Sequence, residues 1–178
     1  MRIIGGKLKG IRINPPSNLP VRPTTDLAKE ALFNILNNQF DFEQIRVLDL
    51  FSGTGSISLE FASRGVPQII SVDRDFGCFN YLKTTSCQHG LNAIQANKAD
   101  VFKFLKLETQ PYDIVFADPP YDMPELTEIS TLIFDLKLIT PTGYLIIEHP
   151  SNKRLNNHPN FSETRKYGSS SFSFFELE

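Results

Sequence analysis

A chain of 178 residues is the length of one ordinary domain, and a fold of that size buries roughly 70% of the surface of its unfolded chain. Hydrophobic residues make up 40% of it and charged residues 21%, with no apolar run near the roughly 18 residues of a membrane span and no signal-peptide core in MRIIGGKLKG. The expectation is a globular cytoplasmic protein without contact to membrane. Cys78 and Cys87 have no His or Cys at metal-ligand spacing, so they read as buried thiols, and neither a metal site nor a disulfide framework is expected. The net charge of −2 conceals an asymmetry: Arg2, Lys7, Lys9, Arg12 and Arg22 give residues 1–25 a charge of +5, leaving −7 on the remainder. A basic arm meeting a polyanion would produce this pattern, and so would a solvated edge hairpin whose cations deter aggregation.

In chain order, Arg2–Ile13 sets isoleucines around a Gly-Gly-Lys-Leu-Lys-Gly centre, which predicts a short hairpin or a loose extended arm. Asn14–Pro23 contains four prolines and reads as a rigid linker. The expected organisation is one domain over 1–178, with arm and linker over 1–23 and the core over 24–178. Thr24, Thr25 and Asp26 offer N-cap chemistry ahead of Leu27, Ala28, Ala31, Leu32, Ile35 and Leu36 at helical spacing. Short apolar runs at Arg46–Leu50, Gln68–Asp73, Ala93–Ala96, Tyr112–Ala117 and Tyr144–Glu148 read as strands. They alternate with helical stretches at Ser56–Arg64, Asp75–His89, Val101–Leu107 and Glu125–Leu136. Alternation of this kind implies an α/β fold, a parallel sheet with helices on both faces. Ser162–Tyr167 and Phe172–Leu177 flank Gly168-Ser169-Ser170 and predict a closing hairpin, with Phe172, Phe174 and Phe175 in its core.

The first strand runs into Phe51-Ser52-Gly53-Thr54-Gly55 and then a helix. Glycines there let the backbone turn sharply and approach a ligand, and in an open parallel sheet that loop borders the ligand crevice. Asp73 ends the next strand about 20 residues on, where an acid reaches ribose hydroxyls. A dinucleotide fingerprint lacks its third glycine, since Ser58 stands there, and no Lys-Ser/Thr follows to make a phosphate loop. Asp49 at the strand end would repel a pyrophosphate. It suits an ammonium group, such as the amino-acid end of S-adenosylmethionine. The plainer reading is that Gly53 and Gly55 only make a tight turn.

The fourth strand ends in Asp118-Pro119-Pro120-Tyr121, the most specific signal in the chain. A fourth strand beside the first brings this loop to the same crevice. Two prolines remove two backbone donors, so the loop offers acceptors to an –NH₂ group, and Asp118 adds another. Holding the amino hydrogens keeps the nitrogen lone pair aimed at an incoming methyl, and Tyr121 can stack on the base. The competing reading is a Pro-Pro turn that ends a strand.

These motifs resemble a known family. Asp-Pro-Pro-Tyr is similar to the motif of amino-directed methyltransferases, and Asp49-Leu-Phe-Ser-Gly-Thr-Gly to their cofactor loop. MRIIGGKLKG, then Val21 through Asp26, then Lys29-Glu30-Ala31-Leu32-Phe33-Asn34-Ile35-Leu36 resemble the start of the RsmD family of 16S rRNA guanine-N2 methyltransferases. The resemblance implies a class I methyltransferase, Rossmann-like, with a mostly parallel seven-stranded sheet whose last two strands form an antiparallel C-terminal hairpin. It implies S-adenosylmethionine as cofactor, held by Asp49, Phe51, Gly53 and Gly55 at the methionine end, by Asp73 at the ribose and by Asp100 at the adenine amino group. Asp118, Pro119 and Tyr121 would receive the target guanine, flipped out or already unpaired, with Lys9, Arg12, Arg22 and Pro120 touching the RNA. The arm departs from the family where Gly10-Ile11-Arg12-Ile13 replaces Lys-Gly-Arg-x-Leu. By residue type alone, Asp100 is equally a helix N-cap.

The implied partner is ribosomal RNA in a small-subunit assembly intermediate, acted on by a monomer. A DNA adenine-N6 methylase would share Asp118–Tyr121 but usually carries extra mass for target recognition. A nicotinamide oxidoreductase would have no use for that loop, and a non-catalytic RNA-binding module no reason to keep both loops. Arg22 and the threonines after it fit cofactor or phosphate contact as well as helix capping. His89, His149 and His158 carry no assigned role; His149 follows Glu148 at a strand end near the crevice, but a rim contact is not expected of it. Lys153 and Arg154 are candidate phosphate contacts.

Overall fold

The computed structural model describes residues 1–21 and 24–178. Seven strands form one sheet: β1 (Arg46–Leu50), β2 (Gln68–Asp73), β3 (Ile94–Lys98), β4 (Tyr112–Ala117), β5 (Ile139–Pro150), β6 (Phe161–Tyr167) and β7 (Ser170–Phe175). Their order is β3-β2-β1-β4-β5-β7-β6, with β1 to β5 parallel and β7 antiparallel to both neighbours. The helices are α1 (Asp26–Gln39), α2 (Ser56–Ser63), α3 (Phe76–Gln88), α4 (Val101–Leu107) and α5 (Leu126–Asp135).

Alternation along the strands sorts the core into two layers. Val47, Ile69, Ile114, Phe116, Ile146, Phe172 and Phe174 face one side, where α1, α2 and Leu82 of α3 cover them. Leu48, Leu50, Ile70, Val72, Val115, Leu145, Ile147 and Phe175 face the other, under α4 and α5. Both sheet faces are therefore buried, which is why the central strands read as continuous apolar runs. Side-chain caps start three of the helices: Thr25 accepts from the Ala28 N–H, Asp75 from Cys78 and Asp100 from Lys103. Among the described residues no helix is long and apolar enough to cross a membrane.

Three strands differ from expectation by two residues or more at an end, among them β7, which starts at Ser170 instead of Phe172 and stops at Phe175 instead of Leu177. β5 begins at Ile139, five residues before the apolar run at Tyr144, because Pro141 and Gly143 imitate a turn and a register irregularity falls between Tyr112 and Ile114. β3 lies at the edge, and its exposed Gln95 and Lys98 and half-buried Asn97 dilute the apolar signal.

The N-terminal arm is a docked hairpin. Arg2 and Arg12 bridge across it, Ile3 and Ile13 are buried, and Gly6–Leu8 makes a single 3₁₀ turn at its tip. The docking is polar as well as apolar: Glu60 on α2 accepts from the backbone N–H groups of Ile4 and Gly5, and Ser63 bonds Leu8 and Gly5. Glu60 also pairs with Arg64 at 2.9 Å and faces Lys29 Nζ at 3.5 Å. Lys29 is 1% exposed and donates to the Arg2 carbonyl. Burial holds its ammonium below the usual lysine range, and the Glu60 charge opposes that shift. Lys7, Lys9 and Arg12 stay exposed on this anchored platform, whereas Arg2 pairs with Asp26 at 3.5 Å.

Candidate active site

The sheet changes direction between β1 and β4, and the crevice beyond their C-terminal ends is a cavity of about 790 Å³. Asp49, Phe51, Gly53, Asp73, Asp100, Asp118, Pro119, Pro120 and Tyr121, nine of the residues singled out in the sequence, line it together.

The loop after β1 is wound tightly. Phe51 and Gly53 hold φ of 56° and 52°, and the second is a conformation that glycine adopts without penalty. The Ser52 N–H reaches across to the Val72 carbonyl of β2. Gly53 donates to Asp73 Oδ2 and Asp75 to Asp73 Oδ1, both at 2.8 Å, so Asp73 shapes the loop as well as facing the cavity. Gly55, unlike Gly53, is not part of the cavity wall. It has φ of 81° and caps α2, and a Cβ there would lie 2.3 Å from Leu82 Cδ1, so this glycine lets α3 pack against the loop.

Asp49 is 1% exposed and accepts from both the N–H and the hydroxyl of Ser58, whose hydroxyl also meets Ser71. Burial outweighs those bonds and raises its carboxyl from 3.8 to about 7. Asp100 is exposed at the cavity edge and caps α4 through Lys103. It therefore fills the capping role and lines the cavity at once. Burial, with Asp73 and Asp75 nearby, pushes the Cys78 thiol in the cavity wall up to about 12, which keeps it a poor nucleophile.

Asp118 is fixed through its N–H, which donates to the Leu50 carbonyl of β1 at 3.2 Å. Pro119 is buried, Pro120 exposed and Tyr121 half-buried; a turn closed by the Met123 N–H on the Pro120 carbonyl follows. The Tyr121 hydroxyl shares a hydrogen bond with the Ser170 hydroxyl at the start of β7, and Lys153 Nζ donates to the Tyr121 carbonyl at 2.9 Å.

Other sequence readings are redistributed. Lys9 and Arg12 lie on the docked arm and do not line the cavity, and Arg22 falls outside the described residues. The two threonines divide: Thr25 caps α1, whereas buried Thr24 lines the cavity and donates to Glu148 Oε2 at 2.8 Å. His149 is not a rim residue; it is 0% exposed, bonds Ser173, and is held below the usual histidine range by burial. Cys87 is exposed on α3 rather than buried, since it falls on the solvent side of a helix whose inner side carries Cys78 and Leu82. Among further wall residues, the sequence did not single out Pro20, Phe76, Lys98, Phe102 and Met123. Their signal is positional: aromatics follow the acids at the ends of β2 and β3, and only the folded crevice reveals them.

The family model described as Conserved hypothetical protein 95 matches residues 1–176. Ribosomal RNA small subunit methyltransferase D of Escherichia coli is 32% identical over 149 residues, covering 83% of this chain and 74% of its own. The chain belongs to the RsmD family. Bacillus subtilis YlbH is 35% identical to this RsmD-family chain over 154 residues, 84% of it and 82% of YlbH. A hypothetical protein of Thermus thermophilus superposes with a TM-score of 0.87 at 27% identity over 99% of both chains. The T. thermophilus 16S rRNA N2 methyltransferase RsmC, solved with AdoMet and guanosine, shares the fold at a TM-score of 0.70 and 22% identity. That match covers 100% of this chain and 49% of RsmC.

The cavity of the RsmD-family chain fits S-adenosylmethionine by its own chemistry. Five carboxylates, Asp49, Asp73, Asp75, Asp100 and Asp118, outnumber the cations Arg74 and Lys98 in a wall that faces a ligand carrying sulfonium and ammonium charge, while Phe51, Phe76 and Phe102 offer apolar surface to a purine.

Proposed function

We propose that the chain transfers the methyl group of S-adenosylmethionine to the exocyclic N2 of a guanine in 16S rRNA. One observation carries this reading: Asp49 of β1 with the glycine loop that follows it, and the Asp-Pro-Pro-Tyr loop after β4, open into a single cavity, with Asp118 hung on the last carbonyl of β1. S-adenosylmethionine supplies an electrophilic methyl on a sulfonium when bound. On this reading Asp49 faces the ammonium of the methionine end beside Gly53, Asp73 takes the ribose hydroxyls and Asp100 the adenine amino group. Asp118 and the donor-free backbone at Pro119 and Pro120 accept the target amino hydrogens, and Tyr121 stacks on the base. That grip directs the nitrogen lone pair along the line of attack and stabilises the positive charge that develops there; the displaced proton passes to solvent.

Lys7, Lys9 and Arg12, exposed on the anchored arm, meet RNA phosphates in this proposal. So few cations suit a structured particle better than free RNA, so the substrate is an assembling small subunit, and the enzyme acts as a monomer. The test is Asp118→Ala. Losing one preorganised acceptor should lower kcat by about 10²–10³ with cofactor affinity retained. Near-normal turnover in that variant would remove the mechanism.

A further inference from the structure

We infer that Lys153 is a positioning residue: together with Ser170 it fixes the Tyr121 ring in the pose that receives the target base. The inference rests on the reading of Asp118–Tyr121 as the target site. Lys153 is half-buried, and its Nζ donates to two consecutive stations of the loop, the Tyr121 carbonyl at 2.9 Å and the Met123 carbonyl at 3.3 Å. An ammonium has three protons to give, and two of them go to the loop, which leaves at most one for anything else. Ser170 holds the side chain of the same residue through the Tyr121 hydroxyl. Tyr121 is thereby gripped at its carbonyl and at its hydroxyl, and both grips come from outside the loop.

The anchors themselves are tied to the sheet. Lys153 N–H bonds the Pro150 carbonyl at the end of β5, and the neighbouring Ser151 bonds the Ser169 carbonyl and the Ser171 hydroxyl, all at 3.0 Å. The β5 end and the start of β7 thus form one frame against which the loop is set. Two prolines stiffen Pro119–Pro120, and beyond Tyr121 the loop runs through exposed Asp122 and Pro124, so the frame reaches the loop where it leaves the protein surface. This gives the C-terminal hairpin a function beyond closing the sheet. It also reassigns Lys153, whose charge suggested a phosphate contact, to the protein's own carbonyls.

Lys153→Met removes the charged donor and keeps much of the stem's bulk. Steady-state assays with undermethylated small ribosomal subunits and labelled S-adenosylmethionine separate the two roles. A positioning residue predicts kcat lowered about 10–100-fold, since a displacement near 1 Å costs up to 10². KM for the particle and Kd for S-adenosylmethionine should stay within about twofold, and Lys153→Arg should recover most of the loss. Ser170→Ala, which leaves the lysine untouched, should lower kcat in the same way by a smaller factor. A raised KM with a shallower salt dependence and unchanged kcat would make Lys153 a phosphate contact and overturn the inference. Wild-type kinetics in both Lys153→Met and Ser170→Ala would overturn it too. Asp118→Ala in the same assay separates the two levels: if it is crippled while these variants are not, only the inference fails. Turnover retained in Asp118→Ala removes the target site and the inference together.

Discussion

Replacing Asp49 by asparagine should stabilise the free protein above neutral pH while weakening its hold on the cofactor. The carboxyl is buried at the end of β1 and raised from 3.8 to about 7, chiefly by burial. Between those values the folded state binds a proton that the unfolded chain has released, so stability falls as pH rises through this window. The displacement is about three units, and at 1.36 kcal/mol per unit the carboxylate costs up to roughly 4 kcal/mol above pH 7. Asparagine keeps an oxygen to accept from the Ser58 N–H and hydroxyl but cannot ionise. Urea unfolding of both proteins near pH 4 and pH 8 measures the difference. The stability of Asp49→Asn relative to wild type should improve by roughly 2–4 kcal/mol between the two conditions. An unchanged difference would show that Asp49 titrates as an ordinary carboxylate and would refute the burial argument. Calorimetric titration with S-adenosylmethionine completes the trade: wild-type affinity should tighten from pH 6 to pH 8, and the variant's affinity should be weaker and flat.

Glu60→Ala removes the partner of Lys29, which is 1% exposed, and should destabilise the fold by about 3–5 kcal/mol through an uncompensated buried charge. The melting temperature should fall by about 2–4 °C for each kcal/mol, and the Ile4 and Gly5 amides should lose hydrogen-exchange protection. Protection retained there would mean that α2 does not anchor the arm. Gly55→Ala forces a Cβ to within 2.3 Å of Leu82 Cδ1 at a φ of 81°, and should cost about 1–3 kcal/mol in urea unfolding. Wild-type stability in that variant would contradict the packing of α3 on the loop.

The sheet was legible wherever burial on both faces makes an apolar run. β1, β2 and β4 coincide with the runs at Arg46, Gln68 and Tyr112, and α4 with Val101–Leu107. Edge strand β3 and the first part of β5 were blurred, one by polar residues that are mostly exposed and the other by Pro141 and Gly143. The cavity was legible as two loops, because glycine and proline patterns mark backbone geometry directly. What completes it was not: Thr24 joins the wall through Glu148, 124 residues away, and Lys153 reaches Tyr121 from 32 residues away. Neither pairing leaves a local pattern. Lys9 and Arg12 were legible by charge alone, but not their place, since the fold sets them outside the cavity on an arm held by the buried Glu60.

Label transfer from radioactive S-adenosylmethionine, with undermethylated small subunits, free rRNA and unmethylated DNA offered in parallel and the product nucleoside identified, tests the central claim most directly. N2-methylguanosine recovered from the small-subunit RNA is the expected product. N6-methyladenine recovered from DNA would keep the fold and the amino-directed chemistry but contradict the proposed substrate, and label on neither polymer would contradict the proposed activity itself.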